Sequence, residues 1–526
     1  MSVAPMCDET EIRPVSEHLH LESSKPAPAC FDYRKPIDEA RKVSDLSPTA
    51  ERRIKLGVLV GAALCFIAAV ASGKLHLEYS LFPESRLATV FWWTALIYGG
   101  MCYAAMVWRV ILWRRYRPME GITDAELPYV SVIIPAYNEG LLVRQSILST
   151  AANNYPPEKM EIIAIDDGST DDTWEQILAA ANEVDPRIRM STYKQPKNMG
   201  KREGLYLGLK KGRGEVFVTT DSDSILHPDA IRNGVTPLVR NRKIANVAGC
   251  VEVLNTRQSI ITRFLKCSFN LSFKFVRAYQ SEFLGVFCTP GALSFFRADV
   301  IRSVMDEWVA QKFLGQPCTI GEDRALTNLI LREGWMTSYQ GNATVYSEMP
   351  ATYEGLYKML LRWGRSNVRE TIVMLPWMFK SFRNQYLRTF QFNMTLTILS
   401  LFLPPFMIFN SWLMLMTNSG YAMHQLGIVM LYAATSAIIY YINERDSEWI
   451  WLFVYEFFWT LCLSWIIPWS VFTMKNTSWM TRGAGLHQGA AIKKQPTATK
   501  RPSLVESLSS GESPVMQPAM ASPSRS

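Results

Sequence analysis

Residues 130–136 read VSVIIPA, and this short apolar run predicts a buried β-strand. Two runs of the same kind follow, EIIAI at 161–165 and VFVTT at 216–220, with helical stretches between them. Short apolar runs that alternate with helices predict a Rossmann-like α/β domain, in which crossover helices join parallel strands. Ligands of such sheets bind beyond the carboxyl ends of the strands. The residues that follow each strand are therefore the first place to look for chemistry.

Polar and acidic residues follow all three predicted strands. Asn138 and Glu139 come after the first strand, Asp166 and Asp167 after the second, and Asp221-Ser222-Asp223 after the third. Taken alone, either of the first two sets is explained equally well by a structural role, as a turn or a helix cap, and by a functional role. Two carboxylates one residue apart at a strand end can instead approach one hard cation together. We therefore interpret Asp221 and Asp223 as ligands of Mn²⁺ or Mg²⁺.

A third acidic motif, Gly321-Glu322-Asp323-Arg324, opens an amphipathic stretch later in the chain. Thr319 and Glu322 have the spacing of a capping box, and an acid near a helix start is stabilised by the helix dipole, so a structural role is a serious alternative. The dipole would also lower the pKa of Asp323 and weaken it as a base. Group transfer to a hydroxyl nevertheless needs a carboxylate that accepts the proton, and Asp323 is our candidate.

Two basic motifs complete the set of candidate site residues. Lys201-Arg202 precedes Asp221 and suits the phosphates of a nucleotide. Arg362-Trp363 lies shortly before a long apolar run; its indole could support the face of a sugar and its guanidinium could hold phosphate. Anchoring at a membrane interface explains Arg362-Trp363 equally well, because both residue types are frequent there. Both interpretations of this motif stay open on the sequence alone.

Five long apolar runs indicate a polytopic membrane protein. They occupy residues 56–72, 88–112, 390–416, 425–442 and 449–474. About 20 helical residues cross the hydrocarbon core of a bilayer. The alternative is that these runs are buried helices of a large soluble protein. The presence of five such runs in one chain argues against it. Arg and Lys residues precede the first run and follow the second. Both the N-terminus and the central domain are therefore expected on the cytosolic side of a plasma or inner membrane.

The charge and the cysteines exclude other classes of function. The formal net charge is +8, and much of it lies beside the apolar runs, where anionic lipid headgroups explain it without nucleic-acid binding. The nine cysteines are scattered and form no CxxC pair. We therefore expect reduced thiols and no structural zinc.

The composition predicts six segments along the chain. These are a disordered cytosolic segment at 1–52, two transmembrane helices at 53–117, a cytosolic domain at 128–380 with interfacial helices, transmembrane channel helices at 388–476, a loop at 477–483 and a disordered tail at 484–526. The stretch Thr256 to Phe283 is expected to lie in the interface, because it mixes phenylalanines with basic residues. Glu456 and Pro468 interrupt the last run, so we expect one C-terminal run to be re-entrant or interfacial.

Taken in order, these motifs resemble the processive inverting family-2 glycosyltransferases, which include cellulose, chitin and hyaluronan synthases. The resemblance covers about residues 128 to 380 and implies a GT-A catalytic domain inserted between transmembrane helices. It implies roles for six of the residues above. Glu139, Asp167, Lys201 and Asp221 would bind the nucleotide, with Asp167 at the uridine and Lys201 at the diphosphate. Asp221 and Asp223 would hold the metal, and Asp323 would be the general base.

The stretch from Trp308 to Asn328 resembles the pattern of hyaluronan synthases in particular. Trp479-Met480-Thr481-Arg482 likewise resembles their gating motif, so Trp479, Thr481 and Arg482 would close over the nucleotide, while Arg362 and Trp363 would face the acceptor. Three positions depart from the family. Glu322 stands where many hyaluronan synthases have Asp. Met359 stands where the family has Gln, and Met480 stands where it has Gly.

The resemblance implies that UDP-sugar donors, a growing polysaccharide and membrane lipids are the partners of the chain. The polymer's terminal hydroxyl would attack the anomeric carbon, and inversion would yield a β-linkage. Hyaluronan, from UDP-GlcNAc and UDP-GlcA, is the expected product. A chitin-like polymer, single sugar transfer to a polyprenyl phosphate, and a catalytically silent membrane scaffold are the alternatives. The sequence predicts no oligomeric state.

Overall fold

The computed structural model describes residues 31–71, 86–403 and 421–476, together with a few helical positions between 408 and 416. Three of the predicted features lie outside these residues. They are the N-terminal residues 1–30, the gating-like motif Trp479 to Arg482 and the tail at 484–526.

The central domain, residues 128–380, is built on one large mixed sheet. Its strands, with a separate two-stranded hairpin, are β1 (Val130–Ala136), β2 (Met160–Asp166), β3 (Arg189–Lys194), β4 (Val216–Thr220), β5 (Ser224–Leu226), β6 (Ile244–Val253), β7 (Leu293–Arg297), the hairpin strands β8 (Lys312–Phe313) and β9 (Gln316–Pro317), and β10 (Met336–Ser347). The eight strands of the large sheet run in the order β3-β2-β1-β4-β7-β6-β10-β5.

Four strands at one side of the sheet are parallel, as the sequence predicts. β1 pairs in parallel with β2 and with β4, and β2 pairs in parallel with β3. β7 instead runs antiparallel to both β4 and β6, so the sheet is mixed as in GT-A folds rather than wholly parallel. The direction of β7 depends on the path of its connections, which an apolar run does not reveal.

Helices cover both faces of this sheet. The helices are α1 (Arg34–Lys42), α2 (Pro48–Ala71), α3 (Arg86–Arg115), α4 (Leu141–Ala151), α5 (Thr173–Glu183), α6 (Lys201–Lys211), α7 (Ala230–Arg240), α8 (Ile260–Asn270), α9 (Ala278–Ser281), α10 (Ala298–Val309), α11 (Glu322–Arg332), α12 (Tyr353–Met378), α13 (Leu387–Phe402), α14 (Tyr421–Glu444), α15 (Trp451–Phe458) and α16 (Ile466–Phe472). Val132 and Ile134 of β1 pack on one face with α4, α5 and α7, whereas Ile133 packs on the other with α6, α10 and α11. This alternation follows from the two-residue period of a strand.

Four apolar helical segments of the described chain are long enough to cross a membrane. They are Pro48–Ala71, Leu96–Arg115, Gln425–Glu444 and Ser447–Phe472. They correspond to four of the five predicted runs. The remaining run, at 390–416, begins as α13 and then passes into residues that are mostly outside the description.

The last of these segments is broken and lies along the central domain. It consists of a 3₁₀ turn at Ser447–Ile450, α15, a π-helical turn at Trp459–Leu463 and α16. Near its start, the ring of Tyr455 lies 5.6 Å from that of Phe264 in α8. Near its end, Arg365 Nε of α12 donates to Thr473 Oγ1 at 3.0 Å. Both ends of the segment therefore contact the domain that carries the sheet.

The N-terminal region differs from the disordered segment predicted for residues 1–52. Arg34–Lys42 forms α1, and α2 begins at Pro48. Ile37 is buried against the edge of the sheet. One turn of apolar contacts is too short to produce a visible period in the sequence, so only the tertiary contact reveals this helix.

The phenylalanines of the predicted interfacial stretch are buried. Phe264, Phe269, Phe273 and Phe275 all belong to the core between the sheet and the apolar helices. The chain there runs from α8 through a π-helical turn, Leu271–Arg277, into α9. The stretch thus joins the central domain to the apolar helices through packed aromatic rings.

Candidate active site

The loops that follow β1 and β2 meet at the carboxyl edge of the sheet. The amide of Asn138 donates to Ser169 Oγ at 3.0 Å, and the amide of Glu139 donates to Thr173 Oγ1 at 2.8 Å. Asp167 donates its own amide to the carbonyl of Ala136 at 2.8 Å. These bonds hold the half-buried Glu139 and the buried Asp167 on neighbouring loops, as the parallel strands predict.

The carboxylate of Asp167 anchors the loop that leads into α6. Its two oxygens accept the amides of Met199 and Gly200 at 2.7 and 2.8 Å. Gly168 has φ +70°, and a Cβ there would lie 2.4 Å from the backbone carbon of Lys197. Because only glycine fits this close approach, the two loops pack together and bring Lys201 to the carboxyl edge.

Lys201 lies among three acids at the start of α6. Its ammonium group contacts the carboxylate of Asp221 and lies 3.2 Å from Glu322 Oε1. Burial alone would lower the pKa of Lys201, but Asp221 and Glu322 raise it. The side chain therefore stays a buried cation, and such a group can bind phosphate oxygens.

The two predicted metal ligands lie on a tight turn between β4 and β5. The amide of Ser224 donates to the carbonyl of Asp221 at 3.3 Å, and Ser224 Oγ donates to Asp223 Oδ1 at 3.2 Å. The described residues contain no group of three or more His, Cys, Asp or Glu placed to hold a metal ion. A pair of carboxylates still fits Mn²⁺ or Mg²⁺, since Mg²⁺ is usually bound by one or two carboxylates with phosphate and water oxygens completing the shell.

The acidic pair Glu322-Asp323 begins α11. The N-cap is Gly321, with φ +70° and no side-chain cap, so the capping-box alternative with Thr319 is wrong. Glu322 reaches Lys201 instead. Burial opposes the ionisation of Glu322, yet the charges on Lys201 and Arg362 hold the pKa of its carboxyl below the usual range.

Asp323 has the opposite electrostatic balance. Burial, followed by the charge on Glu322, raises the pKa of Asp323 above its usual range. The lowering that we expected from the helix dipole is therefore outweighed. The amide of Arg324 donates to Asp323 Oδ1 at 2.7 Å, and Cys288 Sγ lies 3.7 Å from Oδ2. Two neighbouring carboxylates with pKa values shifted in opposite directions can take different roles.

Arg362 and Trp363 lie on α12, beside these acids. The charge on Arg362 lowers the pKa of Glu322, which shows that the guanidinium is close to the acidic pair. Trp363 is exposed, and its ring lies 6.0 Å from that of Phe269 in α8. The pair thus lies between the acids and the apolar helices.

Two contributors to the site escaped the sequence analysis. A Cβ at Gly291 would lie 2.8 Å from Lys201 Nζ, so the absence of a side chain there gives the ammonium group its room. Trp308, quoted only for its resemblance, is fully buried and donates Nε1–H to the carbonyl of Glu322 at 2.9 Å. No local pattern marks either residue, because each acts on a group distant in sequence.

The structure therefore brings together most of the predicted site. Glu139, Asp167, Asp221 and Asp223 lie on loops at the carboxyl edge, and Lys201 lies beside them at the start of α6. Asp323 and Arg362 approach the same place from α11 and α12. The predicted gating residues Trp479, Thr481 and Arg482 lie outside the described part of the chain.

Several known proteins are similar to this chain. An N-acetylglucosaminyltransferase of Rhizobium meliloti is 30% identical over 49% of this chain and 62% of its own length. One of Neorhizobium galegae is 25% identical over 74% of this chain and 88% of its own length. The hyaluronan synthase of Streptococcus pyogenes is 26% identical over 81% of this chain and 97% of its own length. The matches to the first three curated relatives span about three-fifths of those proteins, at 62%, 60% and 57%.

Solved structures are similar at lower identity. A mannosyltransferase of Pyrobaculum calidifontis, in complex with GDP-Man and Mn²⁺, has a TM-score of 0.48 at 17% identity and covers 70% of this chain and 98% of its own. TarS of S. aureus with UDP-GlcNAc has a TM-score of 0.33 at 14% identity, over 48% of this chain and 72% of its own. Residues 131–305 match the family described as Glycosyl transferase family 2. The chain therefore carries a family-2 glycosyltransferase domain, as its motifs predicted.

Proposed function

We propose that this chain is a membrane-embedded, processive and inverting β-glycosyltransferase that polymerises UDP-sugars in the cytosol and exports the polysaccharide. One observation carries the proposal. Lys201 is held between Asp221 and Glu322 at the carboxyl edge of a family-2 domain, and the charge on Asp323, next to Glu322 in α11, also raises the pKa of Lys201. This arrangement combines a cation for a leaving diphosphate, a metal-ligand pair and a carboxylate suited to proton transfer.

The donor half of the proposed site contains the charges that a UDP-sugar needs. Glu139 and Asp167 would bind the nucleotide, with Asp167 at the uridine, and Lys201 would contact the diphosphate. Asp221 and Asp223 would hold Mn²⁺ or Mg²⁺, and a bound divalent ion would supply charge neutralisation to the leaving diphosphate. Lys201 adds a fixed positive charge that needs no reorganisation when negative charge develops on UDP.

Asp323 is the proposed general base. It would take the proton of the acceptor hydroxyl as that oxygen bonds to the anomeric carbon and the bond to UDP breaks. A raised pKa makes a carboxylate a stronger base, and burial keeps water away from the reaction. Attack from the face opposite UDP inverts the anomeric centre and gives a β-linkage. Arg362 and Trp363, on α12, would face the acceptor.

Hyaluronan is the proposed product, from UDP-GlcNAc and UDP-GlcA in alternation. The relatives named N-acetylglucosaminyltransferase favour a second candidate, a polymer of GlcNAc alone. Met359, in the place of the family's Gln, is buried and offers no amide to a sugar, so it bears on this choice.

Membrane vesicles that contain the full chain should decide the product. We expect polymer only when UDP-GlcNAc and UDP-GlcA are supplied together, and we expect hyaluronidase but not chitinase to degrade it. Polymer from UDP-GlcNAc alone would establish the chitin-like product instead. Lipid-linked single sugars without polymer, on a sizing gel, would establish transfer to a polyprenyl phosphate. If no UDP-sugar yields a product although UDP binds normally, the catalytically silent membrane scaffold is the remaining alternative.

We also propose that the broken segment Ser447–Phe472 lies along the cytosolic face rather than crossing the bilayer. Three contacts support this. Tyr353 Oη donates to the carbonyl of Cys462 at 2.8 Å, a Cβ at Gly364 would lie 2.3 Å from Ser470 Oγ, and Arg365 bonds Thr473. Each contact joins the segment to α12, which carries Arg362 and Trp363. The chain would then reach Trp479 on the side where the nucleotide binds.

Cysteine labelling tests this topology. In inside-out vesicles, a membrane-impermeant maleimide should modify a Thr481→Cys variant, above the background of the unsubstituted chain, because residue 481 would face the cytosol. A Ser80→Cys variant, in the connection between the first two apolar runs, is the matched control and should react only in right-side-out cells. Modification of the Thr481→Cys variant only in right-side-out cells would contradict both the topology and the gating role.

A further inference from the structure

Helix α1 packs on the strand that directly follows the proposed metal ligands. Ile37, 5% exposed, lies in a small apolar cluster with Ile225 of β5 and with Leu254. Aromatic contacts flank this cluster. Tyr33 lies 5.4 Å from the ring of His227, the residue after β5. The helix thus covers β5 and the turn that follows it.

A second contact ties α1 to the partner strand of β5. Arg41 lies over the ring of Tyr346 in β10, with 5.8 Å between the guanidinium carbon and the ring centroid. Tyr346 pairs with Ile225 in the antiparallel register of β10 and β5. The helix therefore spans the final two strands of the sheet, β10 and the edge strand β5.

β5 connects this contact to the two acids, because Asp223 and Asp221 lie two and four residues before Ile225. Ile225 follows Ser224, whose hydroxyl donates to Asp223 Oδ1 at 3.2 Å and whose amide donates to the carbonyl of Asp221 at 3.3 Å. β5 has only three residues and, among the described strands, pairs with β10 only; its Leu226 amide also donates to Ser149 Oγ of α4 at 3.2 Å. The local stability of such a short edge strand depends on the side chains that pack on its face.

The other end of α1 is connected to the membrane region. After the helix, the amide of Asp45 donates to the carbonyl of Arg257 at 3.3 Å, and the carboxylate of Asp45 lies 3.0 Å from a guanidinium nitrogen of the buried Arg263. The apolar helix α2 then begins at Pro48. Residues 33–48 therefore form a continuous strap from the edge strand to the first apolar helix.

We propose that α1 is a positioning element for the Asp221–Asp223 turn, so that the affinity of this turn for a divalent cation depends on the docking of Ile37. The inference rests on the proposed function, which makes this turn the metal site. Two carboxylates bind a cation well only if they are already oriented, because ordering them on binding costs conformational entropy. With α1 undocked, Ile225 loses its cover and β5 frays. The acids then sample more orientations.

The test compares two alanine variants of the full-length protein in detergent or nanodiscs. Ile37→Ala removes the docking side chain, and Glu39→Ala changes an exposed position on the same helix. The measurement is UDP binding as a function of Mn²⁺ concentration, without sugar turnover. We expect the half-saturating Mn²⁺ concentration to rise about tenfold for Ile37→Ala, the lower end of the range for changes outside the ligands themselves. Glu39→Ala should match the unsubstituted chain, and Ile37→Leu should restore binding.

Turnover provides the second measurement. At saturating Mn²⁺, Ile37→Ala should regain the rate of the unsubstituted chain, which a general loss of structure would not allow. A folded Ile37→Ala variant with unchanged half-saturating Mn²⁺ would overturn the inference. If Ile37→Ala does not fold, Tyr33→Ala takes its place with the same expected shift, and no shift there would overturn it too. An unsubstituted chain without Mn²⁺-dependent UDP binding would instead refute the metal site of the proposed function.

Discussion

Replacing Asp323 with Asn is expected to lower polymer synthesis about a thousandfold, within the range that a positioned general base contributes. The amide has nearly the shape of the carboxylate but cannot accept the acceptor's proton. UDP binding should be unchanged, because the proposed donor contacts come from Asp167, Lys201 and Asp221. Synthesis and Mn²⁺-dependent UDP binding, both measured on the purified full chain, check the two halves of this expectation.

Asp299→Asn is the matched control. Asp299 lies in the first turn of α10 and accepts the amide of Val300 at 2.9 Å, just as Asp323 accepts that of Arg324. It is exposed and distant from the proposed reaction, so its variant should keep full activity. Synthesis retained in Asp323→Asn would remove Asp323 as the base.

The raised pKa of Asp323 also predicts the pH dependence of synthesis. A base must be ionised. The rate of synthesis should therefore be full above the pKa of Asp323 and should fall as the pH drops through that pKa. Because burial and Glu322 raise this pKa, the loss should begin at a higher pH than for an ordinary Asp. Ionising Asp323 therefore opposes folding at neutral pH, and the Asn variant should unfold at no lower temperature than the unsubstituted chain.

Replacing Lys201 with Met is expected to reduce synthesis about a hundredfold, as removal of one preorganised charge from a reaction site commonly does. The physical reason is that the diphosphate loses its buried cation, while Asp221 and Glu322 lose the partner between them. The affinity for UDP should fall. The pKa of Glu322 should rise toward its usual range, because Lys201 is the strongest of the charges that lower it.

The response to metal distinguishes a site effect of Lys201→Met from unfolding. Lys201 neutralises Asp221 in the absence of a cation, so its removal should leave the half-saturating Mn²⁺ concentration unchanged or lower. A misfolded protein would bind Mn²⁺ more weakly. Lys210→Met, at an exposed position on α6, is the control and should behave as the unsubstituted chain. Normal synthesis by Lys201→Met would exclude a role for this cation in the departure of UDP.

The sequence was sufficient for the parts of the fold that depend on local pattern. The apolar runs that form β1, β2 and β4 predicted parallel strands, because a strand buried on both faces consists of consecutive apolar residues. The acids after them could be assigned to one edge by topology alone. The family-2 domain followed from these motifs, and residues 131–305 match that family.

The sequence was insufficient where one residue acts on another that is distant along the chain. The antiparallel β7 gives no local signal of its direction. The docking of Ile37 on Ile225 was hidden within a polar N-terminal stretch that we predicted to be disordered. Arg365 contacts Thr473, and this contact bears on the path of the last apolar segment. The composition of the sequence gives no sign that these two regions meet.

For the site itself, the side chains and the order in which they follow the strands can be read from the sequence. Their electrostatic state depends on the folded structure. The helix dipole suggested a lowered pKa for Asp323, whereas burial and the adjacent Glu322 raise it. Glu322 was a candidate cap, yet it is a partner of Lys201. The reason is that desolvation and charge–charge interaction depend on distances through space, and those distances exist only after the sheet, α6, α11 and α12 have packed together.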